Sequence, residues 1–219
     1  GADGQSADCY CRTGRGSSES HMWNGSENQV MISLIRHGKT EANLEGRYLG
    51  RTDEDLTEAG KQEILDRVNA GYYPEADVVF TSAMKRCKTT AELIYPGRSL
   101  IALPEWNEID FGLFEGRNYK ELSENPDYQA WIDSGGVTAF PGGESREQFI
   151  ERCAGGMEKM VSMLPKQVER VSIVVHGGTI MALGSRFFGG DYFDYQIKNG
   201  KMIQAILERK QEIRCSIIS

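Results

Sequence analysis

Two nearly unbroken apolar runs, each closed by a histidine, constrain this chain more than any other feature. Met31-Ile32-Ser33-Leu34-Ile35 runs into Arg36-His37-Gly38, and Val171-Ser172-Ile173-Val174-Val175 runs into His176-Gly177-Gly178. Short apolar runs without polar alternation read as strands buried on both faces, the kind that build parallel sheets covered by helices. In such sheets ligands gather beyond the carboxyl ends of the strands. The 219 residues include only three histidines, and the third, His21, lies in a polar leader. Placing the other two at strand ends suggests that both face one pocket.

The intervening sequence supports the layered reading. Thr57 is placed to cap a helix that Gly71 closes, and Asp77–Phe80 reads as a second strand. A helix from about Ala83 to Tyr95 follows, stopped by Pro96-Gly97, and Ser99–Leu103 reads as a third strand. Ser145 opens an amphipathic helix reaching about Met163, with Phe149, Cys153, Met157 and Met160 on one face. After Val171–Val175 comes a helix from about Thr179 to Phe188. Lys201–Glu208 and Glu212–Ile218 then alternate as an antiparallel pair at the sheet edge. The expected architecture is α/β: a three-layer sandwich with a mostly parallel central sheet flanked by helices, formed by residues 31–219 as one domain. Residues 118–150 break the alternation with two short helical stretches and the turn Phe140-Pro141-Gly142-Gly143, and are expected to form a small helical lid. Tyr119, Tyr128, Trp131 and Phe140 are assigned to that lid's own core. Residues 1–30, Gly- and Ser-rich and without period, read as a disordered leader, with His21-Met22 resembling a cloning junction.

The net charge of −7 argues against nucleic acid as a partner, since a phosphate backbone calls for a basic face. No apolar run approaches the ~20 residues that cross a bilayer, so no membrane partner is expected. The five cysteines, at 9, 11, 87, 153 and 215, make no disulfide framework, and Cys9-Tyr10-Cys11 has no second pair at zinc spacing. The expected setting is reducing and cytoplasmic.

The strand ends carry the chemistry. The first supplies Arg36 and His37, and Arg86 lies shortly beyond the second. The third leads into the acid-rich stretch Glu105–Gly116, and the fourth ends in His176-Gly177-Gly178. Guanidinium forks match phosphate oxygens and keep their charge at any working pH. The Gly177-Gly178 turn into a helix offers backbone N–H groups to an anion. A neutral imidazole held against a clamped phosphoryl group is a nucleophile, and a protonated carboxylic acid nearby can supply the leaving group's proton. On chemistry alone that acid is any of Glu105, Glu108, Asp110 or Glu115. There is no phosphate-binding Gly-x-x-x-x-Gly-Lys-Ser/Thr loop and no acidic cluster built for two metals, so neither metal nor cofactor is called for.

Leu34-Ile35-Arg36-His37-Gly38-Lys39-Thr40-Glu41-Ala42-Asn43 resembles the signature of the histidine phosphatase superfamily, the phosphoglycerate mutase-like family. The motifs that follow keep its order: Gly50, Leu56-Thr57-Glu58-Ala59-Gly60, Ser82 with Arg86 and Thr90-Ala91, and Asn107-Glu108-Ile109-Asp110-Phe111-Gly112 with Glu115-Gly116. Pro141-Gly142-Gly143-Glu144-Ser145 and His176-Gly177-Gly178 complete it. The resemblance implies that His37 is phosphorylated, that Arg36, Arg86 and His176 clamp the phosphate with Gly177 beside it, and that Asn43 is a secondary contact. It also implies Glu108 as the general acid. Lys39 departs from the pattern, where many relatives carry Glu. The implied activity is metal-independent hydrolysis of a small phosphorylated metabolite through a phosphohistidine, with phosphoglycerate mutase or a non-catalytic phospho-ligand module as alternatives. The compact stretch from Arg117 to Val175 favours hydrolysis over mutase chemistry. Tyr128-Gln129-Ala130-Trp131 followed by Pro141–Ser145 is similar to the branch acting on α-ribazole phosphate, which makes that ester one substrate candidate.

Overall fold

A computed structural model describes residues 29–209 and 213–218. Six strands form one sheet: β1 (Gln29–Arg36), β2 (Val78–Thr81), β3 (Leu100–Ala102), β4 (Arg170–Val175), β5 (Met202–Glu208) and β6 (Arg214–Ile217). Their order is β3-β2-β4-β1-β5-β6. The first four are parallel, while β5 runs antiparallel to β1 and β6 antiparallel to β5. The sheet is therefore mostly parallel with an antiparallel margin, as the last two apolar runs suggested. The first strand begins at Gln29, so Gln29 and Val30 belong to the sheet rather than to the leader. Val30 is fully buried, and its apolar side chain extends the run by one inward-facing position. The rest of the leader, with His21, Cys9 and Cys11, lies outside the described residues.

Side chains alternate across the sheet, and both faces are covered. Val30, Ile32 and Leu34 of β1, Phe80 of β2, and Val171, Ile173 and Val175 of β4 share one core. Onto it pack Phe149, Cys153, Met157 and Met160 of α5 (Arg146–Met163) and Ile180 and Leu183 of α6 (Gly177–Phe187). Ile35, Val79 and Val174 face the other way, against Ile64 of α2 (Glu58–Asn69) and Cys87, Ala91 and Ile94 of α3 (Lys85–Ile94). This gives the three layers that continuous rather than alternating apolar strands require. Thr57 caps α2 through the Gly60 N–H, and Ser145 closes a reciprocal capping box with Gln148 on α5.

Two stretches differ from the sequence reading. The loop after β1 contains one short helical turn, α1 (Glu41–Leu44), closed by a Thr40–Asn43 capping box. Of the two helical stretches expected in 118–150, only α4 (Pro126–Asp133) is a regular helix, capped by Asn125 with Pro126 in its first turn. The residues before it form hydrogen-bonded turns, with Leu122 N–H on the Asn118 carbonyl and Ser123 N–H on Lys120. Gly135 and Gly136, both at positive φ, stop the helix after two turns.

Candidate active site

Register places the histidines. Arg36 of β1 lies opposite Val175 of β4, and the His37 N–H donates to the Val175 carbonyl at 3.0 Å. His37 and His176 therefore leave adjacent parallel strands side by side, and their rings meet edge-on with centroids 5.2 Å apart. Thr81 of β2 lies opposite Val174, which sets Ser82 one residue beyond that strand end, beside His176. The loop after β3 delivers Glu108. All four parallel strands thus contribute to one end of the sheet.

Hydrogen bonds fix the ring tautomers. His37 is 3 % exposed, and its Nδ1 lies 2.7 Å from the Gly38 carbonyl. A carbonyl only accepts, so Nδ1 carries the proton and Nε2 carries the lone pair. Burial, and then the Arg86 charge, hold His37 well below the usual 6.5, so the ring is neutral at physiological pH. His176 is also neutral for the same two reasons, with His37 adding a smaller push. Its Nδ1 accepts from Arg86 Nε at 3.1 Å, so its Nε2 donates to Ser82 Oγ at 2.9 Å. Cys87 Sγ lies 3.5 Å from the same Nε2, but burial pushes that thiol up to about 12 and no thiolate forms there.

The arginines are used differently. Arg86 is fully buried and donates to the carbonyls of Thr52, Leu49 and Gly50 as well as to His176. It straps the polar loop after β1 to the strand ends while holding its charge among the rings. Arg36 donates through Nη1 to the Ile197 carbonyl at 2.6 Å, whereas its buried Nε has no partner. An unsatisfied buried guanidinium N–H costs on the order of 1–3 kcal/mol or more, and an anion would supply the missing acceptor.

The structure separates the four acids that sequence chemistry left equivalent. Glu105 pairs with Lys159 at 2.8 Å and Asp110 with Arg51 at 2.7 Å. Glu115 accepts the N–H groups of Gly50 and Thr52. Among the described residues, Glu108 has no cationic side chain at salt-bridge distance. It takes Gly178 N–H at 3.1 Å and Ile109 N–H at 3.0 Å, and burial raises its pKa above 4.5 despite those bonds and the nearby arginines. The N-terminus of α6, expected to greet an external anion, thus receives the chain's own carboxyl at Gly178. A Cβ at Gly178 would stand 2.1 Å from Glu108 Oε1, so this approach requires glycine. Glu108, Arg36, Gly177 and Gly178 line one end of a cavity of about 300 Å³. His37, His176 and Arg86 are buried and are not among its lining residues.

Asn43 joins the group indirectly. Its Oδ1 accepts from Thr40 N–H and from Asn199 Nδ2, and that same amide also donates to the His37 carbonyl at 3.0 Å. Lys39 turns away to an ion pair with Glu63 at 2.6 Å.

Sequence reasoning missed Asn199 and Arg152. Arg152 donates to the carbonyls of Glu105, Asn107 and Glu108 and holds Glu144 at 2.7 Å, while Glu144 accepts the Asp110 N–H. This pair pins the acid-bearing loop from both sides, which is the structural use of the Gly142-Gly143-Glu144 turn. A Cβ at Gly143 would stand 2.2 Å from the Asp110 carbonyl. Arg152 gave no signal because a helical arginine eight residues from a glutamate is an ordinary surface pattern. Among the described residues, no three His, Cys, Asp or Glu side chains are grouped to hold a metal ion.

Residues 32–212 match the sequence profile described as "Histidine phosphatase superfamily (branch 1)". The chain belongs to that superfamily. Among its relatives is the "Uncharacterized phosphatase PhoE" of Bacillus subtilis, 30 % identical over 182 residues, covering 80 % of this chain and 85 % of the relative. The adenosylcobalamin/alpha-ribazole phosphatase of Escherichia coli is 29 % identical over 166 residues, covering 73 % of this chain and 80 % of that one. In structure, a putative alpha-ribazole-5'-P phosphatase from Escherichia coli superimposes with a TM-score of 0.75 at 23 % identity, over 86 % of this chain and 94 % of that one. The fold of this histidine phosphatase is therefore the phosphoglycerate mutase-like α/β sandwich, and its enzyme class is phosphatase.

Proposed function

We propose that this histidine phosphatase hydrolyses the monoester of a small phosphorylated metabolite through a phosphohistidine at His37, without a metal ion. The observation that carries this reading is the 2.7 Å contact between His37 Nδ1 and the Gly38 carbonyl, which leaves the Nε2 lone pair free on a ring kept neutral by burial and by Arg86. Nε2 attacks phosphorus, an N–P bond forms, and the P–O bond to the leaving group breaks. Glu108, its pKa raised, gives its proton to the departing oxygen. Water then attacks the phosphohistidine as the Glu108 carboxylate takes a proton from it, and inorganic phosphate leaves.

Arg36, Arg86 and His176 are the phosphate clamp, with Gly177 beside it, and Arg36 Nε is the donor that most needs an oxygen. Asn43 braces the nucleophile's loop through Asn199. Two guanidinium groups at the site repel a divalent cation, which favours the metal-free route. The phosphatase activities of the named relatives support hydrolysis, and the alpha-ribazole phosphatase among them keeps α-ribazole phosphate as one candidate. The unpaired thiols Cys87, Cys153 and Cys215 suit the reducing cytoplasm that we assign to the chain.

The test is phosphate release from an aryl phosphate in the presence of a chelator, with an acid-labile, base-stable phosphoenzyme trapped by rapid quench. Release and trapping by the wild type, and neither by His37→Ala, support the proposal. Phosphoryl transfer only to a second hydroxyl indicates a mutase, and binding without turnover indicates a phospho-ligand module. Turnover surviving His37→Ala overturns the assignment.

A further inference from the structure

Arg86 carries a charge that the fold buries completely, and among the described residues no carboxylate lies at salt-bridge distance from it. A buried charge left to itself is costly, so other groups must stabilise it. The nearest are backbone carbonyls. Nη1 donates to Thr52 at 2.9 Å, and Nη2 spans Gly50 at 3.0 Å and Leu49 at 3.3 Å. These carbonyls belong to the polar loop after α1, which has no helix or strand of its own from 48 to 57. Something else must therefore hold that loop in place.

Glu115 holds it from the opposite side. Its two carboxylate oxygens accept the Gly50 N–H at 2.9 and 3.0 Å, and Oε1 also accepts the Thr52 N–H at 3.0 Å. The Gly50 N–H and the Leu49 carbonyl are the two ends of one peptide group. Glu115 thus lies at the N–H end of the peptide whose carbonyl end faces Arg86. Carboxylate, peptide and guanidinium form a chain in which each hydrogen bond polarises the next. A carboxylate in direct contact would offset the Arg86 charge and repel a phosphate. One placed a peptide away aligns the loop's dipoles and leaves the guanidinium to the site. The two loops approach too closely for a side chain at Gly50, where a Cβ would overlap the Ile109 carbonyl and stand 3.0 Å from Glu115 Oε2. Asp53 ties the far end of the same loop to the helix that carries Arg86. Its Oδ1 accepts the Lys85 N–H at 2.7 Å and caps the first turn of α3, which has no cap of its own.

We propose that Glu115 is a positioning residue for phosphoryl transfer, aiming the Arg86 guanidinium through the Leu49–Gly50 peptide and the Thr52 N–H. This rests on the phosphatase reading of the same site. Arg86 Nε is committed to His176 Nδ1 at 3.1 Å, and His176 Nε2 in turn to Ser82. A shift of the loop therefore moves the guanidinium and the second histidine together. Glu115 is not among the residues that line the cavity, whereas Glu108 is. One acid of this stretch gives a proton, and the other holds the clamp.

The experiment compares the wild type with Glu115→Met, Glu115→Gln and Glu115→Asp on an aryl phosphate, with orthovanadate as inhibitor and thermal melts alongside. Vanadate adopts the five-coordinate geometry of the transferring phosphoryl group, so its Ki reports how the clamp is aimed. Glu115→Met removes both acceptors at similar length. It should lower kcat about 30-fold, raise the vanadate Ki by a similar factor and leave KM within about threefold. Glu115→Gln keeps one oxygen able to accept both N–H groups and should return kcat to within about fivefold of the wild type. A lower thermal midpoint with kcat and vanadate Ki unchanged in Glu115→Met overturns the proposal, and so does Glu115→Gln performing no better than Glu115→Met. If Glu115→Met does not fold, Glu115→Asp, whose carboxylate is drawn back by one methylene, decides on the same two readings. If the wild type turns over no ester, the phosphatase reading fails and calorimetry with inorganic phosphate decides the proposal separately. Phosphate binding weakened about tenfold in Glu115→Met supports it. Unchanged binding, or none in the wild type, overturns it.

Discussion

His37 and His176 are delivered by neighbouring strands in fixed register, whereas the rings that wall the cavity beyond Glu108 come from a loop after α1, a turn after β3, the α4 region and the stretch after α6. In the first region most polar atoms are committed to a neighbour, with the Arg36 Nε the main exception. Both rings have assigned tautomers, and Arg86 spends donors on four different partners. In the second region the buried Trp131 indole N–H has no partner, and Arg146 forms no ion pair among the described residues. The contrast separates two tasks. Groups that move protons and bonds must be held within tenths of an ångström, so the sheet itself carries them. Cavity walls built on turns and short helices can be reshaped by a few substitutions without disturbing the strands.

The largest expected effect lies in the committed region. His37→Ala should lower phosphate release by about 10⁴-fold or more with little change in thermal midpoint. A loss below tenfold would mean that another group attacks phosphorus. Glu108→Gln should cost about 10² to 10⁴-fold on esters with poor leaving groups and much less on an activated aryl phosphate. Equal loss on both would move Glu108 from proton donor to simple support. The pH profile sharpens the same point. On the proposed mechanism Glu108 acts in its protonated form, so activity should fall as pH rises through its raised pKa. His37 is depressed, so activity should persist below 6.5 on the acid side. In Glu108→Gln the alkaline fall should disappear.

Arg152→Met tests whether the acid's loop needs its clasp. A loss of about tenfold in kcat with KM little changed, partly recovered in Arg152→Lys, would place Arg152 as a positioning residue. A lower thermal midpoint with unchanged kcat would reduce it to a structural tie. The smallest effect is on stability. Both histidines have folded pKa values below 6.5, so the unfolded chain takes up protons first. Their contribution is fully present above 6.5 and is lost as pH falls below it toward the folded values. Glu108 has the opposite sign, losing its contribution as pH rises from 4.5 through its raised value. Thermal melts between those limits should therefore slope more steeply with pH in Glu108→Gln than in the wild type.

The committed region was legible in the sequence and the ring-walled one largely was not, for the same reason. A buried parallel strand writes itself as a short apolar run, and whatever follows it must lie at the sheet's end, so Arg36, His37 and His176 could be placed without coordinates. Glu108 could be chosen only through family resemblance, because its distinction from Glu105, Asp110 and Glu115 lies in what surrounds each carboxyl. Lys159 and Arg51 are far from those acids in sequence. Trp131 and Phe140 were legible as buried rings but not as cavity walls. Tyr48, Phe111, Tyr192 and Phe193 carried no signal, since convergence of distant turns leaves no period. Asn199 escaped for a similar reason, lying 162 residues from the carbonyl it holds.

That last distance bears on synthesis. The strand bearing His37 is among the first described elements to leave the ribosome, yet one of its two sheet neighbours is β5, and Asn199 and Gly200 lock its carboxyl end only from that side. Until residue 208 has emerged, the early strand has an open edge and the nucleophile's loop has no clasp. A nascent chain stalled before Met202 is therefore expected to be inert toward phosphate esters, and to engage chaperones through the bare edge of that strand. Competence therefore waits for β5 to pair with the open edge of β1.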